Sequence, residues 1–509
     1  MTSTPIGKVV VVLLDSLNRH LLGAYGGDEF ATPNLDRFAA TATVFDRHHV
    51  GSLPCMPARH DLLVGALDFL WRPWGSIEVW EEPITASLRR QGVTTMLVSD
   101  HPHLFETGGE NYHTDFTAWD YVRGHESDPW RTRPDPSTHA APFLPPAHEA
   151  PRRRAYDDSR TWFRAEPDMP GPRTMQAATD WLRRDAPHHE QFFLLVDEFD
   201  PHEPFDTPEP WASMYDDVTD GWDDLRMIWP PYARDAVAKG VVDERTARHV
   251  RANYGAKLSM IDHWFGLVLD AVDELGDDVA VVVCTDHGHY LGEHDTFGKP
   301  GSPLWKALGH TPLMIRWPGT SPRRCGALTT SVDIHATLCD TFGVEPEHRT
   351  HGRSLLPLLD GSAAEVREHL LAGYWGQWVY VLDAERTYGR SAATDGFPIE
   401  MWSNRWSSMP IHHVVHDYRF PRPDHRATLT TMPGSDVPVI RQPWEPGDML
   451  PFWGMGPAID DHHLYEWDDA DETENQVGSR AEADAIELLR YALDELEAPA
   501  HQYERLGVR

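Results

Sequence analysis

A short segment near residue 55 combines a cysteine, a proline and an arginine at a spacing that suits nucleophilic chemistry. It reads CMPAR from Cys55 to Arg59, and LLVG follows from Leu62 to Gly65. On a helix, Arg59 lies one turn after Cys55, where its guanidinium can bind anionic oxygens through paired hydrogen bonds. The alternative interpretation is a buried cysteine at a helix start, beside an unrelated arginine.

Acidic residues and histidines follow three segments that have strand-like sequence. Asp15 follows the run VVVVLL, Asp286 and His287 come soon after VAVVVC, and Asp200–His202 comes soon after QFFLLV. Ligands of parallel sheets bind beyond the carboxyl ends of the strands, so we expect these side chains to share one site. The alternatives are that each aspartate caps a helix and that each histidine lies on the surface.

The Cys-x-Pro-x-Arg pattern with its leucine-rich continuation resembles the signature of the sulfatase family. Further segments resemble this family in its own order, at residues 197–205, 285–294, 297–299, 311–319 and 464–478. The resemblance implies a sulfuric ester hydrolase in which a formylglycine-generating enzyme oxidises Cys55 to formylglycine. Of the two hydroxyls on the hydrated aldehyde, one attacks sulfur and the other later expels the inorganic ester.

The same resemblance assigns roles to individual residues. It implies one divalent metal ion, which polarises the ester oxygens, and the metal ligands are Asp15, Cys55, Asp286 and His287. The implied catalytic residues are Cys55, Arg59, His103, His202 and Lys299, and the implied substrate-binding residues are His101, His202 and Lys299. His103 is expected to contact the formylglycine hydroxyl and to accept its proton.

Four positions depart from the pattern of many sulfatases. Ser16 stands where a second aspartate is common, His287 replaces an asparagine, His101 replaces a lysine, and Ala58 replaces a serine. Phosphonate monoester hydrolases and phosphodiesterases also use formylglycine and an Asp-His metal pair without the second aspartate. Those activities are therefore the alternative to sulfatase activity, and an inactive sulfatase-like binding protein is a third.

The departures also affect the predicted metal. A site made only of oxygen ligands favours calcium, which is our first expectation. Here one carboxylate is missing and one imidazole is present, which shifts the preference toward manganese. Ser16 supplies either a neutral oxygen ligand or only a hydrogen bond to another ligand, and the sequence leaves this open.

Alternating strand-like and helical segments predict an α/β fold, with a large, mostly parallel sheet sandwiched by helices, as the alkaline phosphatase-like resemblance also implies. We predict a catalytic domain over residues 1–365 and a C-terminal α+β subdomain, with a smaller antiparallel sheet and a helix, over residues 366–509. The segments behind these predictions are a long amphipathic helix at 255–275, a helix capped by Thr32 before Pro33, an aperiodic excursion at 108–173 that roofs the site, aromatic segments at 375–380 and 414–418, and a terminal helix at 481–496.

Composition restricts the partners. The formal net charge of −35 repels nucleic acid, anionic lipid and long polyanions, so we expect a small-molecule ester with one anionic group, aryl or alkyl. Four cysteines without paired spacing predict no disulfide framework. No apolar run is long enough to cross a bilayer, and the first residues do not resemble a signal peptide, so we expect no membrane association and a cytoplasmic protein.

Overall fold

The computed structural model describes residues 6–137, 152–215, 228–301, 303–393, 395–409, 421–451 and 456–509. Its strands are β1 (Lys8–Leu14), β2 (Thr43–His49), β3 (Ser52–Leu53), β4 (Thr94–Ser99), β5 (Ala118–Tyr121), β6 (Phe192–Glu198), β7 (Val279–Cys284), β8 (Tyr290–Leu291), β9 (Phe297–Gly298), β10 (Leu313–Arg316), β11 (Arg323–Thr330), β12 (Leu370–Tyr374), β13 (Val379–Leu382), β14 (Arg386–Arg390), β15 (Ile399–Ser403), β16 (Thr428–Thr431), β17 (Pro438–Trp444) and β18 (His463–Glu466). The α-helices are α1 (Pro33–Ala39), α2 (Cys55–Val64), α3 (Ile84–Arg90), α4 (Arg152–Arg160), α5 (Pro170–Arg184), α6 (Glu244–Leu275), α7 (Lys306–Gly309), α8 (Ser331–Phe342), α9 (Leu356–Leu359), α10 (Arg480–Glu495) and α11 (Ala500–Leu506).

A central sheet of eight strands has the order β11-β2-β10-β7-β1-β6-β4-β5. Its neighbours pair in parallel except at β10, which runs antiparallel to both β2 and β7. The predicted mostly parallel α/β sheet is therefore confirmed. Because β1 lies between β6 and β7, the three strands whose ends carry the predicted site residues are neighbours.

Helices cover both faces of this sheet. Alternate residues of β1 point to opposite sides, so Val10 and Val12 pack with α1, α5 and α6, whereas Val9 and Val11 pack with α2, α3 and α8. All four of these valines are fully buried. The near-continuous apolar sequence of β1 follows from this burial on two faces.

The predicted end of the long amphipathic helix is correct, but the predicted start is not. Helix α6 ends at Leu275 as predicted but begins at Glu244, because its first turns are more polar and Asp243 caps them by accepting the amide of Thr246. Thr32 precedes α1 as predicted but does not cap it through its side chain. The carboxylate of Asp262 instead accepts the amides at the start of α1.

The C-terminal region contains the predicted smaller sheet, with the order β18-β14-β13-β12-β3. It is antiparallel except where β12 pairs in parallel with β3, a strand that ends two residues before Cys55. Helix α10 matches the predicted terminal helix. The predicted segment 414–418 lies outside the described residues, and the domain boundary at residue 365 stays a prediction.

The excursion at 108–173 is more regular than its sequence indicates. Its described part contains β5, which forms the edge of the central sheet beside β4, and the helix α4. The four predicted free cysteines are all buried and unpaired with one another. In the described ranges of the chain, no helix has the length and apolarity that a membrane span requires.

Candidate active site

The ends of β1 and β7 and a residue near the end of β6 form the floor of the candidate site. Asp15 directly follows β1, Asp286 follows β7, and Asp197 is the penultimate residue of β6. Ser16 adopts a positive φ of 62°, and its backbone amide donates to Asp286 Oδ1 over 3.0 Å. This bond joins the loops after β1 and β7 and brings the predicted metal carboxylates together.

Cys55 is the first residue of α2, at the end of the helix that faces these loops. Its Sγ lies 3.3 Å from His287 Nε2 and 3.9 Å from Lys299 Nζ. The side chain is only 3% exposed and also packs into the apolar core beneath the sheet. Cys55 is thus a buried residue at the edge of the core.

The four predicted metal ligands form one group. Asp15, Cys55, Asp286 and His287 each offer a ligand atom, and these atoms all lie within 4.8 Å of one another. The Nδ1 of His287 donates to the carbonyl of Gly288 over 2.8 Å, which leaves the Nε2 lone pair directed at the group. Two carboxylates, one imidazole and the side chain of residue 55 suit a divalent cation. In a modified chain, a formylglycine oxygen replaces the Sγ atom.

Electrostatics in this group also fit a cation. Burial and the neighbouring Asp286 hold the pKa of Asp15 well above its ordinary value. Burial also acts to raise the pKa of Asp286, but His287 and Arg59 outweigh it and lower that pKa. Burial lowers the pKa of His287 to about 4, so its imidazole is neutral and able to bind a metal at neutral pH. Two adjacent buried carboxylates repel each other, and a divalent ion would remove that repulsion.

Arg59 links three carboxylates below Cys55. Its guanidinium contacts Asp197 twice, at 2.8 and 2.6 Å, and also donates to Asp15 over 2.9 Å and to Asp286 over 3.0 Å. All four side chains are at most 1% exposed. These contacts place Arg59 beside the predicted metal ligands, and its predicted catalytic role stays a prediction; sequence reasoning assigned no role to Asp197. The signal in the sequence that could have indicated a role for Asp197 is its position directly after the apolar run QFFLLV.

Lys299 and His202 form a close pair beside Cys55. Lys299 Nζ lies 2.8 Å from His202 Nε2 and 3.4 Å from Ser16 Oγ. Burial acts to lower the pKa of Lys299, but Cys55 and Glu203 outweigh it and hold the pKa above its ordinary value. Burial and Lys299 together lower the pKa of His202. The pair therefore consists of an ammonium group that donates to a neutral imidazole.

The two histidines of the loop after β4 occupy different places. His101 is fully buried, and its Nε2 lies 3.6 Å from Asp15 Oδ2. Within the described ranges neither of its ring nitrogens has a hydrogen-bond partner. The ring nitrogens of His103 instead face Glu106 and Glu126, the latter at 3.3 Å. The expected contact between His103 and the modified Cys55 therefore stays a prediction, and His101 is the histidine that faces the metal group.

Phe199, which sequence analysis did not single out, holds several of these histidines in place. Its ring stacks on His202 at a centroid distance of 4.2 Å. It also makes T-shaped contacts with His101 and His125, at centroid distances of 4.5 and 4.7 Å. Phe199 itself is fully buried. It follows β6 directly, so one strand end positions both Asp197 and the aromatic support of the histidines.

A second group with metal-like spacing is made of His60, which belongs to α2, and of Asp68 and Glu81, which follow this helix in the chain. Arg72 lies among these side chains, with Nη2 3.3 Å from Glu81, and it also contacts Asp68. His60 Nε2 lies 2.9 Å from Glu81. The cations already present balance the carboxylates, so this group forms an ion-pair network that supports α2.

Comparison with known proteins gives four findings. The family model described as Sulfatase matches residues 8–344. The choline-sulfatase of Rhizobium meliloti (strain 1021) is 26% identical over 429 residues, which cover 76% of this chain and 80% of that protein. The phosphonate monoester hydrolase of Silicibacter pomeroyi superposes with a TM-score of 0.64 at 20% identity, covering 98% of this chain and 96% of that one. A 2-O GAG sulfatase superposes with a TM-score of 0.60 at 15% identity, covering 96% and 91%.

Proposed function

The chain belongs to the sulfatase family of sulfuric ester hydrolases, and we propose that it hydrolyses a small sulfate monoester with formylglycine at position 55. The observation that supports this most is the position of Cys55, between His287 at 3.3 Å and Lys299 at 3.9 Å and within the group of metal-binding side chains. The hydrated aldehyde would supply an oxygen nucleophile there. The unmodified thiol would be a poor nucleophile at this position, because burial raises the pKa of Cys55 and so disfavours the thiolate.

We propose that Asp15, Asp286, His287 and the modified residue 55 hold one divalent ion, calcium in the first place and manganese as the alternative. Such an ion lowers the charge on the attacking oxygen and polarises the ester oxygens. Ser16 Oγ donates to Asp15 Oδ1 over 2.9 Å. This contact favours Ser16 as a residue that orients a ligand, because its hydroxyl already serves the carboxylate.

The cationic side chains suit the anionic part of an ester. Lys299 is the ammonium group nearest the nucleophile, and with His202 it would bind the non-bridging oxygens and protonate the leaving group. His101 lies beside Asp15, and in the part of the chain that the structure describes its ring nitrogens have no hydrogen-bond partner, so it can donate to an oxygen of the bound ester. Arg59 would hold the residue 55 backbone, whose carbonyl it contacts over 3.2 Å, while it neutralises the carboxylates.

Hydrolysis of a phosphonate monoester or phosphodiester is the second candidate. The observation that favours it is the ligand set, because His287 and Ser16 stand where many sulfatases have asparagine and aspartate. Both classes of ester carry about one negative charge on the group that is cleaved, so the charge of the site does not distinguish them. A catalytically inactive binding protein is less compatible with the intact Cys55-x-Pro57-x-Arg59 pattern.

We propose that the substrate is small and carries one anionic group. The chain has 80 acidic and 45 basic residues, and salt limits the reach of the site cations to about 8 Å at physiological ionic strength. A long polyanion would therefore meet repulsion outside the site. A small ester would instead meet Lys299, His202, His101 and the proposed metal ion.

The decisive experiment is a rate comparison among an aryl sulfate, an aryl phosphodiester and an aryl phosphonate, each with calcium and with manganese. The protein should be produced together with a formylglycine-generating enzyme, and the Cys55→Ala variant serves as the background control. Faster turnover of the aryl sulfate supports the first proposal. Preference for the phosphonate or the diester would replace it with the second, and equal rates for the wild type and Cys55→Ala would exclude both.

A further inference from the structure

Glu203 is the residue that follows His202, and both of its polar groups are directed at that histidine. Its backbone carbonyl accepts a hydrogen bond from His202 Nδ1 over 2.7 Å, and its Oε2 lies 3.3 Å from the same nitrogen. The other carboxylate oxygen, Oε1, accepts the hydroxyl of Tyr232. Glu203 is 5% exposed, and within the described ranges its Oε2 accepts no hydrogen bond.

The contact with Lys299 fixes the protonation of the His202 ring. An ammonium group can only donate, so His202 Nε2, at 2.8 Å from Lys299 Nζ, must present its lone pair. The hydrogen of a neutral ring is therefore on Nδ1, the atom that faces both groups of Glu203. The Nδ1 hydrogen is donated to the Glu203 backbone carbonyl, and the Glu203 carboxylate lies beside the same nitrogen, so a cation and a carboxylate are on opposite sides of the ring.

We propose that Glu203 is a positioning residue for leaving-group departure, holding His202 by Nδ1 so that Nε2 stays aligned with the Lys299 ammonium. The inference rests on the proposed hydrolytic function and concerns the same site. In this step the deprotonated diol oxygen of residue 55 forms a bond to sulfur, the bond between sulfur and the leaving oxygen breaks, and the leaving oxygen takes a proton from Lys299 Nζ. Lys299 becomes a neutral amine that remains hydrogen bonded to His202, so no further proton donor is required.

The charges around the pair are consistent with this role. Glu203 is among the groups that hold the pKa of Lys299 above its ordinary value, after Cys55. Burial raises the pKa of Glu203 itself, while Lys299 and the hydroxyl of Tyr232 act against that rise. The cation and the carboxylate on opposite sides of His202 therefore support each other's charged forms.

The test is the Glu203→Gln substitution, which keeps the side-chain shape, the backbone carbonyl and an oxygen for Tyr232 but removes the charge. Proton donation contributes most where the leaving group is a strong base. We expect kcat for an unactivated phenyl or alkyl sulfate to fall about 10- to 100-fold. For a nitrophenyl sulfate we expect a fall of less than about 3-fold with KM unchanged, because that leaving group needs little protonation.

Controls separate this role from general damage to the loop. Glu203→Asp retains the charge and should recover part of the activity on the unactivated ester. Glu209→Gln makes the same change at an exposed position of the same segment and should leave both rates unaltered. Equal losses of kcat on both esters, or no loss, would overturn the inference while leaving the proposed function intact. Absence of turnover of every sulfate, phosphonate and diester by the matured wild type would refute the proposed function, and this inference with it.

Discussion

Arg59 Nη2 and Asp15 Oδ2 are joined by a hydrogen bond of 2.9 Å between two fully buried side chains, one from α2 and the other from the end of β1. The helix that begins at Cys55 therefore also supplies the positive charge that offsets the carboxylate of Asp15, a proposed metal ligand. One helical turn, from residue 55 to residue 59, therefore positions both Cys55 and the guanidinium that offsets the charge of Asp15.

The first prediction concerns Arg59→Met, which removes the guanidinium but keeps much of the side-chain volume. Loss of the guanidinium leaves its buried carboxylate partners without a compensating charge. We therefore expect the free energy of unfolding, measured with urea, to fall by about 3–5 kcal/mol. A saturating divalent ion should recover part of this loss, because it neutralises Asp15 and Asp286 but not Asp197. Arg89→Met, at an exposed pair with Asp115, should cost less than about 1 kcal/mol. A loss at Arg59 as small as that at Arg89 would contradict the prediction.

The second prediction concerns the modification of Cys55. Peptide mass spectrometry of protein made with the maturation enzyme should find an aldehyde at this position in place of the thiol. Cys55→Ala should abolish turnover at a cost of only about 1 kcal/mol of stability, because one buried sulfur atom is removed from the edge of the core. Full activity of a protein that contains only the thiol would exclude the proposed nucleophile.

The third prediction concerns the metal. Asp286→Asn removes one anionic ligand, and we expect loss of bound metal by elemental analysis together with a fall in kcat of at least about 100-fold. Asp278→Asn is the matched control, because Asp278 lies at the opposite end of β7 and pairs with Lys8 near the surface. Normal metal content in Asp286→Asn would show that the ion binds elsewhere.

The fourth prediction concerns pH and the ion-pair network at His60. Although burial lowers the pKa of His60, Glu81 and Asp68 raise it to about 9, above its ordinary value of 6.5. The resulting stabilisation is fully present below pH 6.5 and is lost as the pH rises through about 9. We expect unfolding free energy to decrease by about 1–3 kcal/mol over this interval. His60→Gln should flatten the decrease, and His263→Gln, at an exposed position, should retain it.

The fifth prediction concerns substrate size. Specificity constants for a small aryl sulfate and a sulfated oligosaccharide should be compared over a series of salt concentrations. The net charge of −35 should depress the oligosaccharide rate most at low salt, where screening is weakest, and leave the small ester less affected. An oligosaccharide that is the better substrate at low salt would show that the acidic exterior does not select against polyanions.

The sequence by itself determined the central architecture, and it predicted as metal ligands four residues that the structure brings into one group. Apolar runs that end in Asp15 and shortly before Asp286 predict buried parallel strands with ligands at one edge, and this edge is where both residues lie. The spacing from Cys55 to Arg59 likewise predicts one helical face, which α2 provides. Such signals are local, because strand burial and helical periodicity act over a few residues.

Only the tertiary structure decided the partners of these residues. Arg59 pairs with Asp197, 138 positions away, because the register of β6 against β1 places Asp197 opposite Leu13. His101 faces the metal group and His103 does not, because the short turn after β4 directs their rings differently. Neither outcome has a local signature, since each depends on strand register and loop conformation between segments distant in the chain.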